Sequence, residues 1–291
     1  VNMETFFLDT NILVKWIYRK LLNEKEDIER FISSLSKDQC IILDINLSEF
    51  ESIINDAYNM VSHIIYEKIL SRSDWKELDI KGKFQIINDI RKNFDRLYDE
   101  IRKTHYNELI SPGGIRQILA KEFFKKLEDK VVNLDPEVLR NHIALNGRTE
   151  DLIDYLSSVK AIIKQKFTVL DNVKILINDY VIKEIQLIYE GINRHLRNLK
   201  SQGYKKVPSR KDQLIFQYLF LLLREGIYDN IVFITDDNDF ERMYRAILNY
   251  SDDIIKGKVD PRGEFRGHAM EIKNTLGKLV IKNINELISN K

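Results

Sequence analysis

Four short apolar runs, separated for the most part by much longer helical stretches, constrain this chain more than any other feature. Residues 5–8, 40–43, 231–235 and 279–282 are predominantly apolar and flanked by polar residues, the pattern of strands buried on both faces. Charge-laced stretches with apolar residues at helical spacing lie between them, as at 11–20, 123–130 and 212–224. Strands that alternate with helices require crossover connections and a parallel sheet. The expected fold class is therefore α/β, three-layer α/β/α around a central parallel sheet. The β-branched region 167–177 is the candidate for a fifth strand.

Between the second and third runs the strand signal disappears. Residues 55–165 repeat Lys, Glu, Asp, Ile and Leu in helical patterns, broken at Lys81-Gly82-Lys83, Ser111-Pro112-Gly113-Gly114, Leu134-Asp135-Pro136 and Asn146-Gly147. This predicts a large all-helical insertion at 55–165 between a first core part, 1–54, and a second, 166–291. Ser111-Pro112-Gly113-Gly114 reads as a turn.

Composition narrows the function classes. A 44% hydrophobic and 31% charged chain of 291 residues is that of a folded, soluble protein. The net charge of +1 provides no general attraction for nucleic acid, so such a ligand needs a local basic patch. The single cysteine, Cys40, excludes an intrachain disulfide and a cysteine-based zinc site. Residues 1–8 include Glu4 and lack a signal peptide's basic start and apolar stretch, and no segment reaches about 18 uncharged apolar residues. A cytoplasmic location without membrane contact is expected.

The chemistry lies in acids placed at strand ends. Asp9 follows Phe6-Phe7-Leu8 directly, and Asp236, Asp237 and Asp239 follow the run at 231–235. Two strands thus deliver carboxylates to the edge where open α/β sheets bind ligands. Gathered carboxylates repel one another unless a cation neutralises them, and all-oxygen ligation suits Mg2+ or Mn2+. No P-loop is present, since Lys81-Gly82-Lys83 and Gly277-Lys278 lack the upstream glycine spacing. A phosphatase of the haloacid dehalogenase type needs an aspartate two residues after the first, where this chain has Asn11.

Four separated segments, Phe7-Leu8-Asp9-Thr10-Asn11, Asn46-Leu47-Ser48-Glu49-Phe50, Lys211-Asp212-Gln213-Leu214-Ile215 and Phe233-Ile234-Thr235-Asp236-Asp237-Asn238-Asp239-Phe240, resemble the PIN-domain nucleases in type and order. The resemblance covers about the first 55 and last 120 residues and includes Leu279-Val280-Ile281-Lys282-Asn283 as a last strand. It implies catalytic roles for Asp9, Glu49, Asp212, Asp236 and Asp237. Asp9, Asp212, Asp236, Asp237 and Asp239 are the implied metal ligands, and Asn11 and Thr235 are supporting polar groups. Whether Asp236 or Asp237 is the fourth acid stays open.

The implied activity is endoribonuclease hydrolysis of RNA by metal-activated water. A structure-specific or single-strand DNA nuclease and an inactive PIN-like binding module are the alternatives, and a homodimer is compatible with either. Asn46-Leu47-Ser48-Glu49 and Ser209-Arg210-Lys211-Asp212 also match helix N-terminal boxes, in which the acid only caps backbone. The segment 194–211 holds no acid and carries Arg194, Arg197, Lys200, Lys205, Lys206, Arg210 and Lys211, with Tyr204 among them. It is the expected nucleic-acid-binding stretch. The five histidines show no metal-ligand spacing, and His195 alone is placed to touch phosphate.

Overall fold

The computed structural model describes residues 4–21, 27–70, 72–105, 150–171, 178–203 and 208–288. They divide into two compact units.

The first unit (Val1–Leu13, Arg30–Leu47, Lys164–Lys291) holds the sheet. Its strands are β1 (Phe6–Leu8), β2 (Cys40–Leu43), β3 (Thr168–Leu170), β4 (Ile231–Thr235) and β5 (Leu279–Asn283). All pair in parallel in the order β3-β2-β1-β4-β5, with helices on the faces, and this is the three-layer α/β/α arrangement. The runs at 40–43 and 231–235 coincide with β2 and β4, in which every residue is buried. Among the described residues of the region 167–177, 168–170 forms a strand, half-buried at the sheet edge, and 172–177 lies outside the described residues.

Alternate side chains explain why the inner strands β1, β2 and β4 are buried on both faces. Phe7, Ile41, Leu43, Ile231, Phe233 and Leu279 enter one core with the helices that follow, while their neighbours point to the other face. There Phe6 meets the edge of the Phe31 ring at 5.6 Å. The helices of this unit include α6 (Asp179–Ser201), α7 (Arg210–Arg224), α8 (Asn238–Ile255), α9 (Arg266–Leu276) and the short α10 (Ile284–Ile288). α2 (Asp27–Ser34) and a 3-10 turn (Lys37–Gln39) lead into β2. Cys40 is buried, and desolvation pushes its thiol pKa up to about 11. A thiol-specific reagent at pH 7.5 should therefore label it only on unfolding, and rapid native labelling would contradict this packing.

α6 and α8 approach closely at Gly191. A Cβ there would meet Ile247 Cα and Tyr250 Cβ, each at 3.3 Å. Gly191→Ala gains about 1 kcal/mol of helix propensity but overpacks a backbone contact at a cost of about 2 kcal/mol. The net is a loss of about 1 kcal/mol, readable as a lower urea midpoint. An unchanged or higher midpoint would show that the two helices can part without penalty.

The second unit (Val14–Glu29, Ser48–Ile163) is helical in its described residues. It takes most of α1 (Thr10–Leu21) and α3 (Asp44–Leu70), all of α4 (Ile80–His105), and α5 (Glu150–Lys166) up to Ile163. Ile87, Ile90, Phe94 and Leu97 of α4 and Leu156, Val159 and Ile163 of α5 are buried at helical spacing. The helix break near Gly82 falls earlier than expected, at 72–79, and Gly82 lies in the first turn of α4, donating its N–H to Asp79 Oδ1 at 2.7 Å. The expected breaks after 105 and the helix at 123–130 lie outside the described residues. No helix among the described residues is long and apolar enough to cross a membrane.

Candidate active site at the carboxyl edge of the sheet

The strand order reverses direction between β1 and β4. From β1 the chain builds outward through β2 and β3, then returns to the other side of β1 to lay down β4 and β5. Helices on the two sides of such a switch point diverge and open a crevice at the carboxyl ends. Asp9 directly follows β1 there, and its N–H donates to the Ile234 carbonyl of β4 at 3.0 Å. Residues 235–239 leave β4 at the same point.

The Asp9 carboxylate is buried and held at both oxygens. Oδ1 accepts the Thr10 N–H at 2.7 Å and Oδ2 accepts the Thr235 hydroxyl at 2.7 Å. Thr235 Oγ1 in turn accepts the Asp237 N–H at 3.0 Å, which ties the end of β4 to Asp9. Asn46 completes the frame: its Oδ1 accepts the Leu43 N–H at 3.2 Å, and its Nδ2 donates to Thr10 Oγ1 at 3.1 Å. These polar side chains orient one another without a flexible element, the kind of support a preorganised carboxylate needs.

Sequence reading missed Asn46 and Thr10 as parts of this network. The segment 46–49 also matches a helix N-terminal box in sequence, but α3 already starts at Asp44, so Asn46 is in the first turn and its side chain reaches back to the strand. Glu49 stands on the second turn of α3, in the second unit.

The acids after β4 are not equivalent. Asp236 is half-buried, with one carboxylate oxygen shielded. Asp237 is the N-cap of α8, and its Oδ1 accepts the Asp239 N–H at 3.0 Å. Asp239 is 2% exposed and its Oδ1 lies 3.3 Å from Arg242 Nη1. Asp212 begins α7, which runs back toward the amino end of β4 through a connection of only six residues, 225–230. In a parallel α/β sheet a helix that leads into a strand starts on the side of the strands' carboxyl ends. There Asp212 forms a full capping box with Ser209: Oδ2 accepts the Ser209 N–H at 2.7 Å, and its own N–H donates to Ser209 Oγ at 3.1 Å.

Among the described residues no three His, Cys, Asp or Glu side chains form a ready-made metal cage. Mg2+ seldom needs one, since it keeps several waters and takes one or two carboxylates together with substrate phosphates. The donors present suit such an ion. Asp9 and the acids after β4 offer oxygen only, and Asn11 Oδ1, on the first turn after Asp9, is buried without a hydrogen-bond partner among the described residues.

The basic stretch reaches this edge from α6. Gly191 meets α8 at Ile247, whereas four residues later His195 lies in the field of Arg242 and Asp239. The two helices therefore run antiparallel, and α6 carries the exposed Arg197 and Lys200 toward the start of α8. Arg194 points the other way, 3.8 Å from Asp253 and over the Tyr250 ring. Arg210 and Lys211 are exposed at the start of α7, and Tyr204, Lys205 and Lys206 lie outside the described residues. The pKa of His195 is lowered, chiefly by burial and further by Arg242, against an opposing pull from Asp239.

Compared with known proteins, the chain matches no family model, no curated protein and no solved structure.

Proposed function

We propose that this chain is a metal-dependent nuclease of the PIN-like kind that hydrolyses RNA phosphodiester bonds. The observation that carries the reading is Asp9, a buried carboxylate clamped by Thr10 and Thr235 at the switch point of a parallel sheet. A carboxylate built this firmly into the end of a buried strand has a task beyond folding, because an apolar residue there would be simpler to bury.

Asp9, Asn11 and either Asp236 or Asp237 would hold Mg2+ or Mn2+, with Asp212 on the facing helix start. The bound ion would supply Lewis-acid polarisation of a phosphoryl oxygen and a coordinated water that is more acidic than bulk water. Thr235 holds Asp9 in one orientation. Asp237 fixes the start of α8 as its N-cap, and Asp236 and Asp237 both stand as candidates for the fourth acid. Arg197, Lys200, Arg210 and Lys211 surround the approach with positive charge, so a nearly neutral protein can draw in a polyanion. The sequence resemblance makes RNA the expected substrate, cut to 3′-hydroxyl and 5′-phosphate ends.

The test compares single-stranded RNA, single-stranded DNA and a flapped duplex of matched sequence, each with Mn2+ and with chelator. RNA cleavage that requires Mn2+ is expected. Cleavage confined to DNA would reassign the substrate, and no divalent-dependent cleavage of any of the three would remove the nuclease reading.

A further inference from the structure

The acid after β4 that is most deeply buried, Asp239, faces a cation of the protein's own. Arg242 sits three residues further along α8, with Nη1 3.3 Å from Asp239 Oδ1. A carboxylate that is 2% exposed and engaged by a guanidinium is poorly suited to a second cation. It is well suited to fixing where that guanidinium sits. The Arg242 side chain itself remains 41% exposed, and the contact with Asp239 engages one of its five N–H donors. His195 lies in the same field, and its Nε2 is buried without a hydrogen-bond partner among the described residues. Arg197 and Lys200 continue along α6 toward the same point.

From this geometry we infer that Arg242, positioned by Asp239, binds a phosphate of the nucleic-acid backbone beside Asp9, so that Asp239 serves the substrate rather than the metal. The inference rests on the nuclease reading for its ligand, a phosphodiester. A planar guanidinium fork held at one N–H presents the others to phosphate oxygens in a fixed direction. An unrestrained surface arginine would have to be ordered at each binding event.

Fluorescence anisotropy of a fluorescein-labelled single-stranded oligouridylate, in chelator and across a salt series, tests this without catalysis. Arg242→Gln should weaken binding about 3- to 10-fold and flatten the slope of log affinity against log salt by about 0.7, the share of one phosphate contact on a single strand. Arg242→Lys should retain the wild-type slope. Asp239→Asn should weaken binding while Arg242 is present and add nothing to Arg242→Gln. Wild-type affinity and slope in Arg242→Gln, or additive losses in the double variant, would overturn the assignment, as would an oligonucleotide that wild type does not bind.

Binding that depends on Arg242 without Mn2+-dependent cleavage would instead leave the clamp standing and remove the nuclease. Cleavage with an Arg242-independent salt slope would do the reverse.

Discussion

Arg224→Met is expected to destabilise the protein by about 3–5 kcal/mol at neutral pH, the cost of stranding a buried charge. Glu184 of α6 is fully buried, and its Oε2 accepts Arg224 Nε–H of α7 at 2.9 Å. Burial still holds the Glu184 pKa above its ordinary value, with Arg224 opposing. Removing the guanidinium leaves the carboxylate either ionised without its partner or forced to take a proton. Oε1 of Glu184 has no hydrogen-bond partner among the described residues, nor has Nδ1 of His268, and the two lie 3.9 Å apart, too far for a hydrogen bond.

The pH dependence follows from the signs. A raised Glu184 pKa gives a contribution that is complete below the unfolded value near 4.5 and is lost as pH rises through the folded value. The deficit of Arg224→Met should therefore shrink in acid. His268 is lowered, chiefly by burial and then by Lys183 and Arg224, so its contribution is present above about 6.5 and lost as pH falls through its folded value. Urea unfolding of wild type, Arg224→Met and Arg224→Met/Glu184→Gln at pH 5 and 7.5 separates these effects. The added Glu184→Gln, which removes the stranded charge, should recover most of the loss at pH 7.5. A deficit equal at both pH values, with no recovery, would show that Arg224 stabilises only by packing.

Asp9→Asn is expected to abolish Mn2+-dependent cleavage, a fall of at least about 10²-fold, while the protein stays folded. The substitution keeps shape but places an NH2 against either the Thr10 N–H or the Thr235 hydroxyl. Thr235 can turn its proton away and accept the amide, so the structural cost stays near 1 kcal/mol. Loss of activity with a near-native unfolding midpoint would therefore report the missing negative charge. Retained cleavage would sink the assignment, and joint loss of activity and fold would make Asp9 a structural residue.

The sheet was legible in the sequence because strands buried on both faces must be largely apolar, as at 231–234. Placement of Asp9 and the acids after β4 at one edge followed from the same strands. β3 was harder to bound, since a half-buried edge strand of three residues leaves little pattern. Asn46 was hidden for a different reason: its segment imitates a cap, and only the tertiary fold shows that its amide spans β2 and the start of α1. Glu184 was invisible, because an acid on a charged helix reads as solvent-facing until Arg224 and His268 are brought to it. Arg242 looked like one more charge on α8, and its pairing with buried Asp239 depends on where β4 ends.

Diffraction at the manganese absorption edge, from crystals soaked in Mn2+, tests the central claim most directly. An anomalous peak beside the Asp9 carboxylate at the carboxyl ends of β1 and β4, absent from Asp9→Asn crystals, is the predicted result. Saturating Mn2+ that leaves this edge without a peak, or that binds there equally well in Asp9→Asn, would contradict it.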